Sequence, residues 1–215
     1  MNILAMDGAF GGFSVAILQA GELIAHQRVD GNVAVEAGLP LVLEAMREAA
    51  LAPTEVDLLA VGTGPGAFTG LRIAISYAKA LALGWQRPLA GVNSFDALAH
   101  GLAPPPVLAV ISAKPGTASV RLSVAGEATR FSGSTACICD QVGTLWGGGE
   151  LSVIGAPEDV RAGLGERGIL VRTLEMLQPP AVAIAQIAAK TGHASLHALR
   201  ADYGEAPPAK VPHTR

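Results

Sequence analysis

A short pattern occurs twice in this chain, at positions 105 residues apart, and it limits the possible folds more than any other part of the sequence. The recurring residues are Gly11, Ser14, Val15, Ala20, Gly21 and Glu22 in the first copy, and Gly116, Ser119, Val120, Ala125, Gly126 and Glu127 in the second. β-Hairpins often share turn residues, so chance identity within one hairpin is the alternative explanation. Ungapped agreement across strand, loop, strand and turn favours a duplicated fold.

Each copy begins a similar series of predicted elements. In the first half, apolar runs and turn residues predict a strand, a hairpin, a helix containing Pro40, a buried strand, a second helix, a short strand and a helix capped by Ser94. The predicted ranges are 2–7, 13–18, 23–29, 35–50, 56–61, 71–83, 89–92 and 94–100 in the first half, and strands 152–154 and 170–171 with helices 157–164 and 180–199 after the second hairpin. The sequence therefore predicts an α/β protein of two βββαβα-type halves with mixed sheets.

The three consecutive prolines Pro104–Pro106 mark the predicted boundary between the halves, because consecutive prolines neither continue a helix nor lie inside a sheet. The predicted domains are residues 1–103 and 104–206. Residues 207–215 are predicted to form a flexible tail.

A glycine-rich loop at 62–72 joins the buried strand to the second helix of the first half. Gly64 and Gly66 allow close backbone approach to a ligand or to another chain segment, and Asp7 ends the first strand. The loop nominally fits a dinucleotide-binding pattern, but no acid ends the next strand, and the Lys of a P-loop is missing. The sequence therefore leaves both anion binding and simple packing open at this loop.

Composition excludes several classes of function. The chain is 50% hydrophobic and 15% charged with a net charge of −3, and it has no run of Lys or Arg, so general attraction to nucleic acid is not expected. No apolar stretch is long enough to cross a membrane and the N-terminal residues lack the basic region of a secretory signal, so a cytoplasmic location is expected. Cys137 and Cys139 are predicted to be buried thiols on a strand, and His193 and His197 to be a surface pair, so no metal site is predicted.

The two predicted halves resemble the actin, heat-shock ATPase and sugar-kinase (ASKHA) superfamily, whose halves also share a ribonuclease H-like fold. In that superfamily nucleotide lies between the halves. The resemblance implies that Asp7, Gly64 and Gly66 correspond to a nucleotide site. At the offset of 105 residues the counterpart of Asp7 is Ser112 where a second acid is usual, so the site is interpreted as vestigial and catalysis by this chain alone is not expected.

A closer resemblance is to the TsaB (YeaZ) family of the glycoprotease-like group. It rests on Asp7, on the string Gly-Pro-Gly-Ala-Phe-Thr-Gly-Leu-Arg at 64–72, on Ala-Lys-Ala-Leu-Ala at 78–82 and on the segment 91–99. The resemblance implies a non-catalytic subunit of the machinery that places threonylcarbamoyl on adenosine 37 of tRNAs reading ANN codons. Its implied partners are the catalytic TsaD and the ATPase TsaE. The resemblance also implies that tRNA is contacted through the complex. No tightly bound cofactor is expected for this chain, and any ATP or ADP would be bound by the complex.

The same resemblance implies that helices 35–50 and 71–83 meet matching helices of a homologous partner, with a homodimer expected for the isolated chain. The predicted interface residues are Val35, Leu39, Leu71, Ala74, Ile75, Ala78 and Ala82. Introducing glutamate at Ala74 or Ala78 is then expected to break partner binding. The alternative from periodicity alone is that helix 71–83 is a core helix of a single domain.

The chain departs from the family at three places, one of them its C-terminal end, where Tyr203 is the nearest match to the usual Pro-Tyr-Arg string. Ala34-Val35 stands where a His-Ser pair is common, and Ser112-Ala113-Lys114 stands where Asp-Ala-Arg is common. Two other functions therefore remain open: an independent ATPase or phosphotransferase that uses Asp7 and the glycine loop, and a diverged paralogue with a different partner. Nucleotide binding by the isolated chain would distinguish the first of these from an activating subunit.

Overall fold

The computed structural model describes residues 1–31, 34–103, 107–124, 126–192 and 198–204, with the backbone alone at positions 34 and 35. The described strands are β1 Asn2–Asp7, β2 Gly12–Gln19, β3 Glu22–Asp30, β4 Leu58–Gly64, β5 Leu89–Asn93, β6 Leu108–Lys114, β7 Thr117–Val124, β8 Glu127–Ser134, β9 Glu150–Ile154 and β10 Leu170–Leu174. The described helices are α1 Ala34–Glu48, α2 Phe68–Trp85, α3 Ser94–Ala99, α4 Thr135–Leu145, α5 Glu158–Glu166 and α6 Pro180–Ala188, with a short 3-10 helix at Pro53–Glu55.

The strands form two sheets of the same design. The first has the order β3-β2-β1-β4-β5 and the second, read from its opposite edge, the order β8-β7-β6-β9-β10. In each sheet the first three strands in the chain are antiparallel neighbours, and the following strands pair in parallel. The duplicated α/β fold predicted from the 105-residue repeat is therefore confirmed.

Apolar side chains on both faces of β1 explain the layering of the first half. Leu4 and Met6 point toward α1 and α2, and Ile3 and Ala5 point to the opposite face, where α6 packs. In the second half, α4 and α5 cover one face of the sheet. The opposite face meets α3, whose Phe95 joins the two halves.

Helix α6 does not pack on the sheet of its own half. Its residues are apolar except Gln186, and Ala183, Ile184 and Ala185 lie against the first sheet in one buried cluster. The predicted domain 104–206 is therefore wrong at its C-terminal end, because this largely apolar helix is covered by the first sheet on one side and by α3 on another. The predicted boundary at 104–106 and the tail 207–215 lie outside the described residues.

Three local predictions are also wrong. The cysteines lie on helix α4, with Cys137 exposed and Cys139 buried, because Ser134 caps this segment as a helix by accepting a hydrogen bond from the Cys137 N–H at 3.3 Å. Asn93 caps α3 instead of Ser94, since its side chain accepts the Phe95 N–H. The last helix ends at Ala188, whereas Leu199 had been the predicted end.

Candidate functional site

Two loops meet at the ends of the parallel strands in the first sheet. The turn after β1 begins with Gly8, and the loop after β4 runs through Gly64 and Gly66 into α2. Ala67 N donates to Ala9 O at 2.9 Å and ties the loops together. No side chain caps the first turn of α2 at Ala67. The glycine-rich loop at 62–72 is therefore in direct contact with the turn that follows Asp7.

Asp7 lies beneath these loops with only 2% of its surface exposed. Its Oδ2 accepts a hydrogen bond from Ala9 N at 3.0 Å, whereas its Oδ1 has no hydrogen-bond partner among the described residues. Burial raises the pKa of this carboxyl from 3.8 to about 6, and backbone N–H groups of the loop, with the charge of Arg28, oppose the rise. A carboxyl with such a pKa exchanges its proton near neutral pH, a property found at functional sites and in structural clusters alike.

The glycines of both loops are explained by close backbone packing. A side chain on Gly70 would overlap the carbonyl oxygen of Gly8, one on Gly66 would overlap the backbone of Ala9, and one on Gly64 would overlap the carbonyl oxygen of Asp202. The space beside Gly64 and Gly66 is therefore filled by the chain itself. Nucleotide binding at Asp7, Gly64 and Gly66 stays a prediction.

Replacing Gly70 by alanine is expected to lower the free energy of unfolding by about 2 kcal/mol, because the new methyl group meets backbone atoms that cannot rotate away. Gly84 lies in the same helix with no atom near the position of a Cβ, so Gly84→Ala is the matched control and is expected to stabilise the chain by about 0.5–1 kcal/mol. Denaturant unfolding of both variants measures the two values. Equal effects of the same sign would contradict the packing role of Gly70.

The second half carries a loop at the equivalent place, between β6 and β7. Ser112 Oγ lies 2.9 Å from the carbonyl oxygen of Thr117 and 3.0 Å from that of Lys114. A shallow depression of about 400 Å³ borders this loop and includes Asp159 of the second half. Ser112 stands at the position where the superfamily usually has a second acid. Its hydroxyl is hydrogen-bonded within the turn between β6 and β7.

Helices α1 and α2 lie side by side on the first sheet, where Gly38 makes room for the ring of Tyr77. Their outer side carries large exposed apolar residues: Leu43 is 61% exposed, Phe68 54% and Leu83 71%. A groove of about 350 Å³ runs along α2 beside Arg72. We call this outer side the α1/α2 face, and its members are Leu39, Leu43, Phe68, Thr69, Arg72, Ser76, Ala80 and Leu83.

Most of the predicted interface residues do not lie on this face. The side chains of Leu71, Ala74, Ile75, Ala78 and Ala82 are all buried within the chain. Their assignment to a partner interface is wrong, because they are the residues of α2 that turn toward the first sheet. Leu39 is exposed, and Val35 lies where only the backbone is described. The exposed side of α2 instead carries Arg72, Ser76 and Ala80, which follow one another at the spacing of a helical turn.

The structure adds no metal-binding or membrane-spanning site among the residues that it describes. His193 and His197 lie outside the described residues. Across the described ranges, no group of three or more His, Cys, Asp and Glu side chains comes together to hold a metal ion. No described helix is both long enough and apolar enough to cross a membrane.

Comparison with known proteins gives three kinds of match. A family model, "TsaD: tRNA N6-adenosine threonylcarbamoyltransferase", matches residues 34–149. The chain is 38% identical over 101 residues to the tRNA threonylcarbamoyladenosine biosynthesis protein TsaB of Escherichia coli, and this covers 47% of the chain and 44% of that protein. Among solved structures, YeaZ from Pseudomonas aeruginosa superposes with a TM-score of 0.67 at 25% identity, over 94% of this chain and 99% of that one. Component A of the (R)-2-hydroxyglutaryl-CoA dehydratase of Acidaminococcus fermentans superposes with a TM-score of 0.54 at 10% identity, over 88% of this chain and 98% of that one.

The two sheets have the same strand order, and this two-halved α/β fold is shared with YeaZ and with component A of the dehydratase. The matched segment is less than half the length of the curated relatives. The chain belongs to the TsaD family, and it is similar to the TsaB (YeaZ) proteins in sequence and in fold. The resemblance found from Asp7 and the string at 64–72 is thereby confirmed.

Proposed function

We propose that this chain is a non-catalytic, activating subunit in the formation of N6-threonylcarbamoyladenosine at position 37 of tRNAs reading ANN codons. It acts by forming a heterodimer with a TsaD-type catalytic chain, and TsaE joins the complex. The observation that carries the proposal is the α1/α2 face, an exposed apolar surface on the two helices that the family resemblance assigns to partner binding.

The chemistry of this face suits a helical partner. Ser76 and Ala80 are small and exposed, so the backbone of another helix can approach α2 closely. Leu43, Phe68 and Leu83 surround them with apolar area whose removal from water would favour association. A partner built from the same kind of half would present equivalent helices, which supports a four-helix contact with TsaD and a homodimer when this chain is alone.

The loops support a subunit without chemistry of its own. The glycines of the first half are packed against backbone, and Ser112 in the second half is bonded to its own turn. We propose that the reaction and the binding of ATP or ADP belong to the complex and that tRNA is contacted through it. A net charge of −3 agrees with tRNA contact through other subunits.

The test is a reconstituted reaction that contains TsaD, TsaE, the enzyme that makes threonylcarbamoyl-AMP, and tRNA, with and without this chain. Formation of threonylcarbamoyladenosine that requires the chain would support the proposal. Full formation without the chain would contradict it and point to a diverged paralogue. Nucleotide binding by the isolated chain would then be the next measurement, since an independent ATPase or phosphotransferase requires it.

The variant Ala80→Glu tests the face directly. It places a charge in the middle of the α1/α2 face, so we expect at least tenfold weaker binding to TsaD and a matching loss of modification. Ala162→Glu is the matched control, because Ala162 is an exposed alanine on α5 of the second half. Binding is read by titration calorimetry. The proposed surface is wrong if Ala80→Glu binds as tightly as Ala162→Glu.

A further inference from the structure

Arg72 lies on the α1/α2 face with its guanidinium group over the ring of Phe68, 5.2 Å from the ring centroid. Phe68 is the first residue of α2, so the positive charge lies beside the first turn of the helix. The ring of Tyr203 is 4.8 Å from the ring of Phe68, centroid to centroid. The ring on which Arg72 lies is therefore itself packed against the C-terminal segment.

No acid within the described part of the chain balances the charge of Arg72. Apart from the ring contact, Arg72 forms no ion pair and no hydrogen bond with another described residue. The first turn of α2 contains no acidic residue and no side chain caps it, so the positive end of the helix dipole adds to the charge of the guanidinium group. The beginning of α2 thus presents an unbalanced positive charge at the surface.

The groove of about 350 Å³ beside Arg72 is lined by residues of α2 alone. They are Phe68, Thr69, Arg72, Ile73, Ser76 and Tyr77. A partner that covers this groove removes Arg72 from water, and a guanidinium group that loses water without gaining an acceptor weakens association. A carboxylate is the matching group, because it accepts two parallel hydrogen bonds from a guanidinium group. The groove therefore favours a partner that brings a carboxylate.

The helix α2 of a second copy does not supply this carboxylate. It contains no Asp or Glu, and its charged residues are Arg72 and Lys79. Lys79 Nζ donates to the carbonyl oxygen of Leu199 at 2.8 Å and is bound within the chain. If α2 of a second copy lay in the groove, it would bring further positive charge to Arg72. The charge pattern therefore favours a different chain as the partner.

We propose, on the basis of the proposed function, that the TsaD-type chain places a helix in this groove and presents a carboxylate from it to Arg72. The ion pair selects this chain over a second copy. The ring of Phe68 beneath the guanidinium group keeps water from one side of the pair, so the pair is less screened than an ion pair on an open surface. Charge pairs at an interface determine partner choice and the rate of association.

Arg72→Gln tests the ion pair, because it removes the charge and keeps a polar side chain on the face. Arg172→Gln is the matched control, since Arg172 is an exposed arginine on β10 of the second half and both variants change the net charge equally. Titration calorimetry with TsaD is carried out at about 50 mM and about 500 mM NaCl, because salt screens exposed charges. Circular dichroism shows that each variant is folded.

Arg72→Gln is expected to bind TsaD at least tenfold more weakly than Arg172→Gln at low salt and to lose most of the salt dependence of binding. Arg72→Lys keeps the charge without the planar fork of N–H groups, so its affinity should lie between those of Arg72→Gln and the unchanged chain. Equal affinity and equal salt dependence of Arg72→Gln and Arg172→Gln would overturn the ion pair and leave the heterodimer intact. Failure of the unchanged chain to bind TsaD would contradict the proposed function and the ion pair together.

Sedimentation of each variant alone tests the second copy as the source of the carboxylate. Self-association is expected to change less than twofold in Arg72→Gln. A tenfold loss would show that an acid from another helix of a second copy meets Arg72, and the proposal would be wrong. In a charge exchange, Arg72→Glu is combined with TsaD variants in which the acids of its exposed helices are replaced one at a time by arginine. Restored binding in one combination would support the pair and identify the acid, and no restoration in any of them would count against it.

Discussion

Replacing Ala78 by glutamate is expected to lower the free energy of unfolding by about 4 kcal/mol or more. Ala78 is fully buried in the core between α2 and the first sheet. A glutamate there has no basic partner in the surrounding apolar cluster and no space for its side chain, and both effects are among the largest that single substitutions cause. Thermal unfolding followed by circular dichroism measures the loss.

Ala80→Glu is the matched control for this experiment, since Ala80 lies two residues further along the same helix and is exposed. Alanine and glutamate have similar helix propensities, so the control is expected to change stability by no more than about 0.5 kcal/mol. The sequence-based expectation that Ala78→Glu breaks partner binding is thereby replaced by two separate outcomes. Ala78→Glu loses the fold and the partner together, and Ala80→Glu loses the partner alone. A stable Ala78→Glu variant would contradict the burial of this side of α2.

The fold could be predicted from the sequence because its signals are local and repeated. Apolar strands and the hairpin at Ala20-Gly21 recur near Gly126, and both sheets have the strand order that this repeat implies. The location of α6 could not be predicted in this way. Its residues are apolar except Gln186, so its periodicity does not indicate which of the two sheets it covers.

The side of α2 that faces a partner could not be predicted from the sequence either. Helix α2 carries small residues both at Ala74 and Ala78, which are buried, and at Ser76 and Ala80, which are exposed. Small residues on both sides give a weak hydrophobic period, and sequence alone does not decide which side meets the sheet. The structure decides it, because Leu83, which follows Ser76 and Ala80 at helical spacing, is exposed. Contacts between distant parts of the chain, such as Thr63 with Asp202, could not be predicted either, because no local pattern indicates them.

The variant Asp7→Asn is expected to be more stable than the unchanged chain at neutral pH and equally stable in acid. Burial raises the pKa of Asp7 from 3.8 to about 6, so the folded state favours the protonated carboxyl. The stability that this group contributes is fully present below pH 3.8 and is lost as the pH rises through about 6. The two pKa values correspond to about 3 kcal/mol at pH 7.5.

Asparagine removes this cost because it is neutral at every pH and keeps an oxygen that accepts the Ala9 N–H. Its amide N–H meets the same surroundings, beside Gly62, as the O–H of the protonated carboxyl, so the two forms are expected to have similar stability at pH 4. Urea unfolding of both proteins from pH 4 to 8 should give a difference that grows from about 0.5 kcal/mol to about 3 kcal/mol. Glu44→Gln, at an exposed carboxylate on α1, is the control and should give a small and nearly constant difference.

A difference for Asp7→Asn that does not change with pH would show that the carboxyl does not carry the raised pKa. A growing difference would mean that the chain keeps a destabilising acid at the end of β1, as expected where a group has a role besides stability.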